Sequence, residues 1–393
     1  MKLYTSNNRL RSITTIFCIL MLLTFSASVF AQNGTRNEIK VPDILGFKTL
    51  KADLHIHTVF SDGNVWPTVR IQELWQEGFD VYSITDHLEY QPHDPDIPKS
   101  HNRPYEIAIP AARNLQLTGI RGGEISRGIP PPPGHYNAIF LDDVEPLDTP
   151  DFMDAMKAAA DQDAFIFWNH PGYGQPGLIP IWYQAQTDVL EKGWLKGIEV
   201  ANDQDYYPLA HQWCIDKNLT MLGNSDIHAP ITFEFDFNKG EHRSMTLIFV
   251  RENTQESIKE ALMSRRTAVW HKDILVGEEK FLEPLFKKSI EILTPELSIT
   301  GDGSATVQIT NNSDIPFELV RNGEHDLVSS PGSITLHPDR TVKFGIGSKS
   351  KTISGTRSVK LPYTVKNLYV MPEVGMDVEL NVTVRFTPEK EGK

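Results

Sequence analysis

Cysteine is nearly missing from this chain, with two residues among 393. A disulfide framework is therefore excluded, and so are the thiolate-rich structural zinc sites of cysteine-dense modules. Cys18 lies in the N-terminal apolar run and follows Phe17, where a lipoprotein cleavage site wants a small residue. Cys214, in AHQWCIDKN, has helical surroundings and reads as a buried, inert thiol. Positive charge is in deficit as well: 38 Lys and Arg against 51 Asp and Glu give a net charge of −13. An acidic surface repels polyanions, which excludes an extended nucleic-acid footprint; any anionic substrate must be held locally. Repeats and heptads are absent, and the short proline run at 130–133 is the one low-complexity stretch.

The N-terminus is the exception to this ordinary composition. Lys2, Arg9 and Arg11 precede the apolar run 16–25, and Val29-Phe30-Ala31 supplies small residues at the −3 and −1 positions of a cleavage site. This is the pattern of an export signal over 1–31, with a mature start at Gln32 in a periplasmic or extracellular setting. The run is short for a bilayer span, so no stable membrane anchor is expected. Cleavage removes three positive charges and takes the net charge to about −16.

From residue 50 to 250 strand-like and helix-like segments alternate. Strands are expected over 52–57, 80–85, 118–123, 136–141, 164–168, 197–200, 219–222 and 245–250, with amphipathic stretches at 69–78, 152–163 and 207–218. Alternation of this kind predicts an α/β fold with a mostly parallel sheet closing as a barrel, assigned to 32–289. Segments 91–110 and 127–133 read as irregular insertions forming the rim of a site. Past residue 290 the period changes to two, as in ATVQIT (305–310), TVKFGIG (341–347) and VELNVTVRF (378–386). That pattern predicts a smaller all-β sandwich over 290–393.

Six motifs carry the chemistry: DLHIHTVFSDG (53–63), ITDH (84–87), GGEIS (122–126), GHYNAIFL (134–141), WNHPG (168–172) and GNSDIH (223–228). Most of them close an apolar run, and functional groups gather where barrel strands end. Residues two apart on a strand point to the same side, so His55 and His57 form one clamp, and Asp226 and His228 another. With Asp62, His87, Glu124, His135 and His170, they make nine candidate metal ligands, six imidazoles and three carboxylates. Such a set without thiolate suits Zn, Mn or Fe(II). Neighbouring ions need a bridging carboxylate, for which Glu124 is best placed; paired ions are the usual device for phosphoryl transfer.

In the order and spelling of these motifs, over residues 48–275, the chain resembles the PHP (polymerase and histidinol phosphatase) superfamily. The resemblance implies a distorted (β/α)7 barrel holding three divalent transition-metal ions. It assigns His55, His57, Glu124 and Asp226 to the first, Asp62, His87 and His228 to the second, and Glu124, His135 and His170 to the third. Asp62 stands where some members carry histidine, which places the chain with the SDG-type phosphoesterases. The export signal and β-domain look more like secreted bacterial phosphodiesterases than cytosolic histidinol phosphatases.

The expected activity is hydrolysis of a small phosphorylated substrate, favouring phosphodiesters, with Asp62, Glu124, Asp226 and Arg127 as catalytic candidates. Arg127, three residues after Glu124, has the reach to bind a phosphate oxygen or to form a surface ion pair. His101 and Arg103 are further substrate candidates, and Tyr105, Tyr136 and Tyr173 are candidates to cover its organic arms. Asp86 is placed to orient a histidine or to move protons. Tyr173 also reads as packing, as do Asn202 and His211, while Trp66, Trp75 and Trp213 read as core. Competing readings are a phosphomonoesterase, an amidohydrolase (which normally wants a lysine bridge that no strand end supplies here) and a non-catalytic, metal-stabilised binding protein. Oligomeric state is not legible in the sequence.

Overall fold

β1 (Lys48–Ile56) is buried along nearly its whole length, as a strand covered on both faces must be, yet it carries Asp53 and His55. Buried polar side chains of that kind require partners, and those partners organise the fold. The structure, a computed structural model, describes residues 34–128 and 133–390; the expected export signal and four residues of the proline-rich segment, 129–132, lie outside them. Residues from Asn37 onward form one compact unit. No helix among the described residues is long and apolar enough to cross a membrane.

Strands and helices follow as α1 (Pro67–Glu77), β2 (Val81–Ile84), α2 (Arg103–Asn114), β3 (Thr118–Ser126), β4 (His135–Ile139), α3 (Phe152–Ala160), β5 (Phe165–Trp168) and α4 (Gln184–Glu191). Next come β6 (Leu195–Asn202), β7 (Asp205–Tyr206), α5 (Pro208–Lys217), β8 (Thr220–Asn224), α6 (Ile231–Glu234), β9 (Met245–Val250) and α7 (Gln255–Met263). Seven strands form the barrel in the order β1-β2-β3-β4-β5-β6-β8. All neighbours are parallel except β4, which runs antiparallel to both β3 and β5. The ring closes just beyond β8: the Asp226 N–H donates to the His55 carbonyl (2.9 Å) and the His57 N–H to the Ile227 carbonyl (3.1 Å). The N-terminal half of β1 pairs instead with β9, antiparallel. β1 therefore splits its two halves between neighbours, which is the distortion. Leu54, Val81, Ile120, Phe165, Phe167 and Leu222 pack into one fully buried cluster between these strands.

The expected strands form, with shifted ends. The segment 91–110 is not irregular throughout, because α2 begins at Arg103. Proline obscured it: Pro104 in the first turn sacrifices no helical bond, and Pro110 lies on the exposed face, as does Glu106, whose carbonyl it leaves without a donor. Trp66, expected in a core, is 45% exposed and leans on Phe60.

A hairpin, β10 (Thr267–His271) and β11 (Ile274–Gly277), extends the sheet from β9, and α8 (Glu279–Ser289) follows. The remaining strands are β12 (Ile290–Ile292), β13 (Glu296–Thr300), β14 (Ser304–Asn311), β15 (Phe317–Arg321), β16 (Val328–Ser329), β17 (Ser333–Leu336), β18 (Arg340–Ser348), β19 (Gly355–Met371) and β20 (Val374–Thr387). They make a sandwich of two mainly antiparallel sheets, β12-β14-β18-β16 and β13-β20-β19-β15-β17. The alternating burial along β20 is the period-two pattern that one-sided packing requires. The 17-residue β19 also pairs in parallel with β11 through Leu275–Leu368 and Val276–Tyr369, so one sheet runs from barrel to sandwich.

Candidate metal centre

All nine predicted ligands converge on one mouth. His55 and His57 bring their Nε2 atoms to 3.1 Å from each other. Asp226 Oδ1 lies 3.0 Å from the first and 2.9 Å from the second, and Glu124 Oε2 lies 3.5 and 3.3 Å away. Two ligands of a tetrahedral ion, each about 2.1 Å from it, stand roughly 3.4 Å apart. Beside this group, Asp62 Oδ1 sits 3.2 Å from His228 Nε2, 3.6 Å from His87 Nε2 and 3.7 Å from His57 Nδ1. On the other side, His135 Nδ1 is 2.9 Å and His170 Nε2 3.7 Å from Glu124 Oε1. His87 spans two groups, since its Nδ1 is 2.9 Å from Glu124 Oε2.

Glu124 is thus fully buried and faces His55, His57, His87, His135 and His170. Its Oε2, with Asp62 Oδ1, Asp226 Oδ1 and His135 Nδ1, is buried without a hydrogen bond. Buried polar atoms that point at one another without bonding are missing a shared partner. The electrostatics agree. Burial would push Glu124 and Asp226 up, but the surrounding imidazoles hold both well below the usual carboxylate range. Burial would push Asp62 up too, but His228, His57 and His87 around it together hold it at about 2. Burial, then the neighbouring His228 and His87, drives His57 down to about 3, keeping it neutral. Ionised carboxylates among imidazoles fit divalent cations.

The backbone is bent to this purpose. His170 and Asp226 adopt φ of 26° and 55°, left-handed values that residues other than glycine seldom take. Gly63 closes the loop after Asp62 so tightly that a Cβ there would stand 2.7 Å from the His57 carbonyl carbon. Asp86 serves the neighbourhood of His57 through its hydrogen bonds. It accepts from Thr58 N–H and hydroxyl (both 2.6 Å) and from Ser61 (2.7 Å), and so holds the loop behind His57, whose Nδ1 faces the Ser61 hydroxyl.

Other candidates lie elsewhere. Arg127 pairs with Glu89 and donates to the carbonyls of Ser126 (3.0 Å) and Thr149 (2.8 Å). Arg103 forms an exposed pair with Glu106, and the buried His101 ties its segment to Glu145 and Asp148. Tyr136, expected at the rim, is wholly buried and accepts from Gln186. Tyr105 carries the Arg121 guanidinium over its ring. Tyr173 does stand at the rim, 58% exposed and edge-on to His170. Asn202 donates to Glu199, His211 packs against Tyr206, and Trp213 stacks on Trp168.

Arg70 and Glu199 were not legible as site residues. Each breaks an apolar pattern, Arg70 on the stripe with Ile71 and Leu74, and Glu199 within GIEVA. A charge on a buried face was the available signal.

Comparison with known proteins bears on the family of the chain. Residues 290–381 match a family described as an Ig-like domain. No curated protein matches. Two distant solved structures, a candidate metal-dependent phosphoesterase from Bifidobacterium adolescentis and an amidohydrolase from Chromobacterium violaceum, are each 16% identical at a TM-score of 0.36. They cover 45% and 46% of this chain and 87% and 88% of their own, too remote to bear on it. A two-domain protein from Bacteroides vulgatus, described as containing a predicted PHP-like metal-dependent phosphoesterase, is 42% identical over 88% of this chain and 99% of its own, with a TM-score of 0.83. With that likeness spanning both domains and the ligand cluster in place, the chain belongs to the PHP-like metal-dependent phosphoesterases.

Proposed function

We propose that this metal-dependent phosphoesterase is an exported enzyme that holds three divalent ions and favours small phosphodiesters. The observation that carries the reading is Glu124, fully buried among five imidazoles with Oε2 unpartnered. Divalent ions bound there would polarise the phosphoryl group and activate water for attack on it. His55, His57, Asp226 and Glu124 would hold the first ion, Asp62, His87 and His228 the second, and Glu124, His135 and His170 the third. Zn, Mn and Fe(II) all suit these donors.

The preference for a diester follows from the cations around the site. Arg127 must leave Glu89 before it can reach a phosphate oxygen, and Arg103 is paired with Glu106. Acidic groups crowd the Asp226 side: burial, then the nearby Asp226 charge, raises Asp203, and burial likewise raises Glu234. A dianionic monoester therefore finds little protein help beyond the ions, whereas a diester carries one charge. The segment 171–187 after His170 has no charged residue, and it exposes Tyr173, Leu178, Ile179 and Ile181 to an uncharged organic arm. Export rests on the 1–31 pattern; the mass of the protein recovered from the periplasm or medium should place its first residue at Gln32.

The test is kcat/KM for bis(p-nitrophenyl) phosphate and p-nitrophenyl phosphate on one preparation loaded with Mn, Zn, Fe or Co. The diester should be turned over at least as well, and chelation should abolish both activities. A hundredfold preference for the monoester would make the protein a phosphatase.

A further inference from the structure

Glu199 belongs to none of the ligand motifs, yet two of the ligands lean on it. It is fully buried in β6, and both of its oxygens are saturated. Oε1 faces His55 Nδ1 at 2.9 Å and accepts from the Asn224 amide at 2.9 Å. Oε2 accepts from the His170 main-chain N–H at 2.7 Å and from the Asn202 amide at 2.7 Å. An ionised carboxylate only accepts, so His55 must carry its proton on Nδ1. The Nε2 lone pair is then left facing His57 and Asp226, as a ligand requires. The bond to His170 N–H fixes a residue held at a φ of 26°.

Resting on the reading of the nine side chains as ligands, we propose that Glu199 is the positioning residue of the metal centre. It sets the tautomer of His55 and the backbone of His170 at once, and so supports two different ions. No isostere replaces it. A glutamine offers one oxygen, and its amide group must face one of the two donor pairs. The Asn224 amide cannot turn to relieve this, because its Oδ1 accepts from Leu54 N–H at 2.9 Å. Nor can a main-chain N–H at His170 become an acceptor. Glutamine therefore either turns the His55 proton onto Nε2, into the centre, or drives His170 out of place.

The full chain should be stripped with chelator and titrated with Zn(II) or Co(II), comparing wild type, Glu199→Gln and Glu199→Asp. Imidazole 15N–1H spectra of the Zn(II)-loaded wild type supply a readout independent of turnover and of any variant. The expected spectrum shows a His55 Nδ1–H strongly downfield and protected from exchange, with zinc on Nε2. Glu199→Gln should bind metal roughly 10- to 100-fold more weakly, and Glu199→Asp, which keeps two acceptors, should lose less. Zinc on Nδ1 of His55 in wild type overturns the proposal, even if the glutamine variant fails to fold. So does a folded Glu199→Gln with affinity within threefold of wild type. Wild type that binds no metal would overturn the metal centre itself, and this proposal with it.

Discussion

Arg70 donates from Nε to the main-chain carbonyl of His57 at 2.9 Å, and its other nitrogens reach across to the second clamp. Nη2 meets the carbonyls of Ile227 (3.2 Å) and His228 (2.6 Å), and Nη1 meets Ala229 (2.8 Å) and Glu73 (2.8 Å). One buried guanidinium thus ties together the two strand ends that carry His57 and His228. Its planar fork supplies donors in directions that no ammonium reproduces.

Arg70→Lys should therefore lower stability by about 2–4 kcal/mol, because it leaves several buried carbonyls and the Glu73 carboxylate short of donors. Metal retention should weaken with it, since both clamps lose their common anchor. Urea unfolding and a chelator-competition titration check the two effects. A lysine variant with unchanged stability would mean the carbonyls find other donors.

Glu124→Gln should lose at least two ions together under metal-replete conditions. The substitution removes the one carboxylate that five imidazoles face, while His55, His57 and Asp226 stay in place to retain some affinity. Elemental analysis per chain reads the outcome directly. Full occupancy in this variant would dismiss Glu124 as a bridge.

The convergence of the nine candidate ligands was legible because metal binding demands particular residue types at strand ends, and a histidine pair such as His55 and His57 keeps that signature in sequence. Their supports were not. A lone arginine such as Arg70 or a lone glutamate such as Glu199 forms no motif, and its role depends on carbonyls and amides contributed from far along the chain. The reversed direction of β4 was equally hidden, because a short apolar strand reads the same either way. α2 was masked by two prolines whose harm is avoided by position, one in the first turn and one facing water. Arg127 shows the converse, since its spacing from Glu124 says nothing of Glu89, which takes its guanidinium.

A chain ending at Ser289 should keep its ligands but not its stability. Such a cut strips β19 from the edge of β11 and removes the bond from Asn367 Nδ2 to the Asp273 carbonyl (2.6 Å). It also exposes Phe286, whose ring now meets Phe317 at 5.0 Å, and frees Tyr206 from Tyr369. An open strand edge beside fresh apolar surface invites association. The expected result is a melting temperature lower by on the order of 10 °C and a tendency to aggregate, with metal content per folded chain preserved. A soluble, metal-loaded but inactive product would show that the sandwich contributes to turnover.

His211 supplies a pH dependence separate from the metal ligands. It is fully buried, its Nδ1 is 2.8 Å from the Tyr206 hydroxyl, and burial lowers its pKa from the ordinary 6.5 to about 4. The folded form therefore resists a proton that the unfolded chain accepts. This contribution is whole above pH 6.5 and is lost as pH falls toward 4, reaching about 3 kcal/mol at the bottom of the window. A glutamine at 211 stays neutral throughout and abolishes it. Unfolding free energies at pH 7.5 and 4.5, measured with chelator present, should fall by about 2.5 kcal/mol less for His211→Gln than for wild type. The metal ligands titrate alike in both chains, so their contribution cancels in the comparison. Equal losses in the two proteins would mean that His211 reaches water and titrates near its ordinary value.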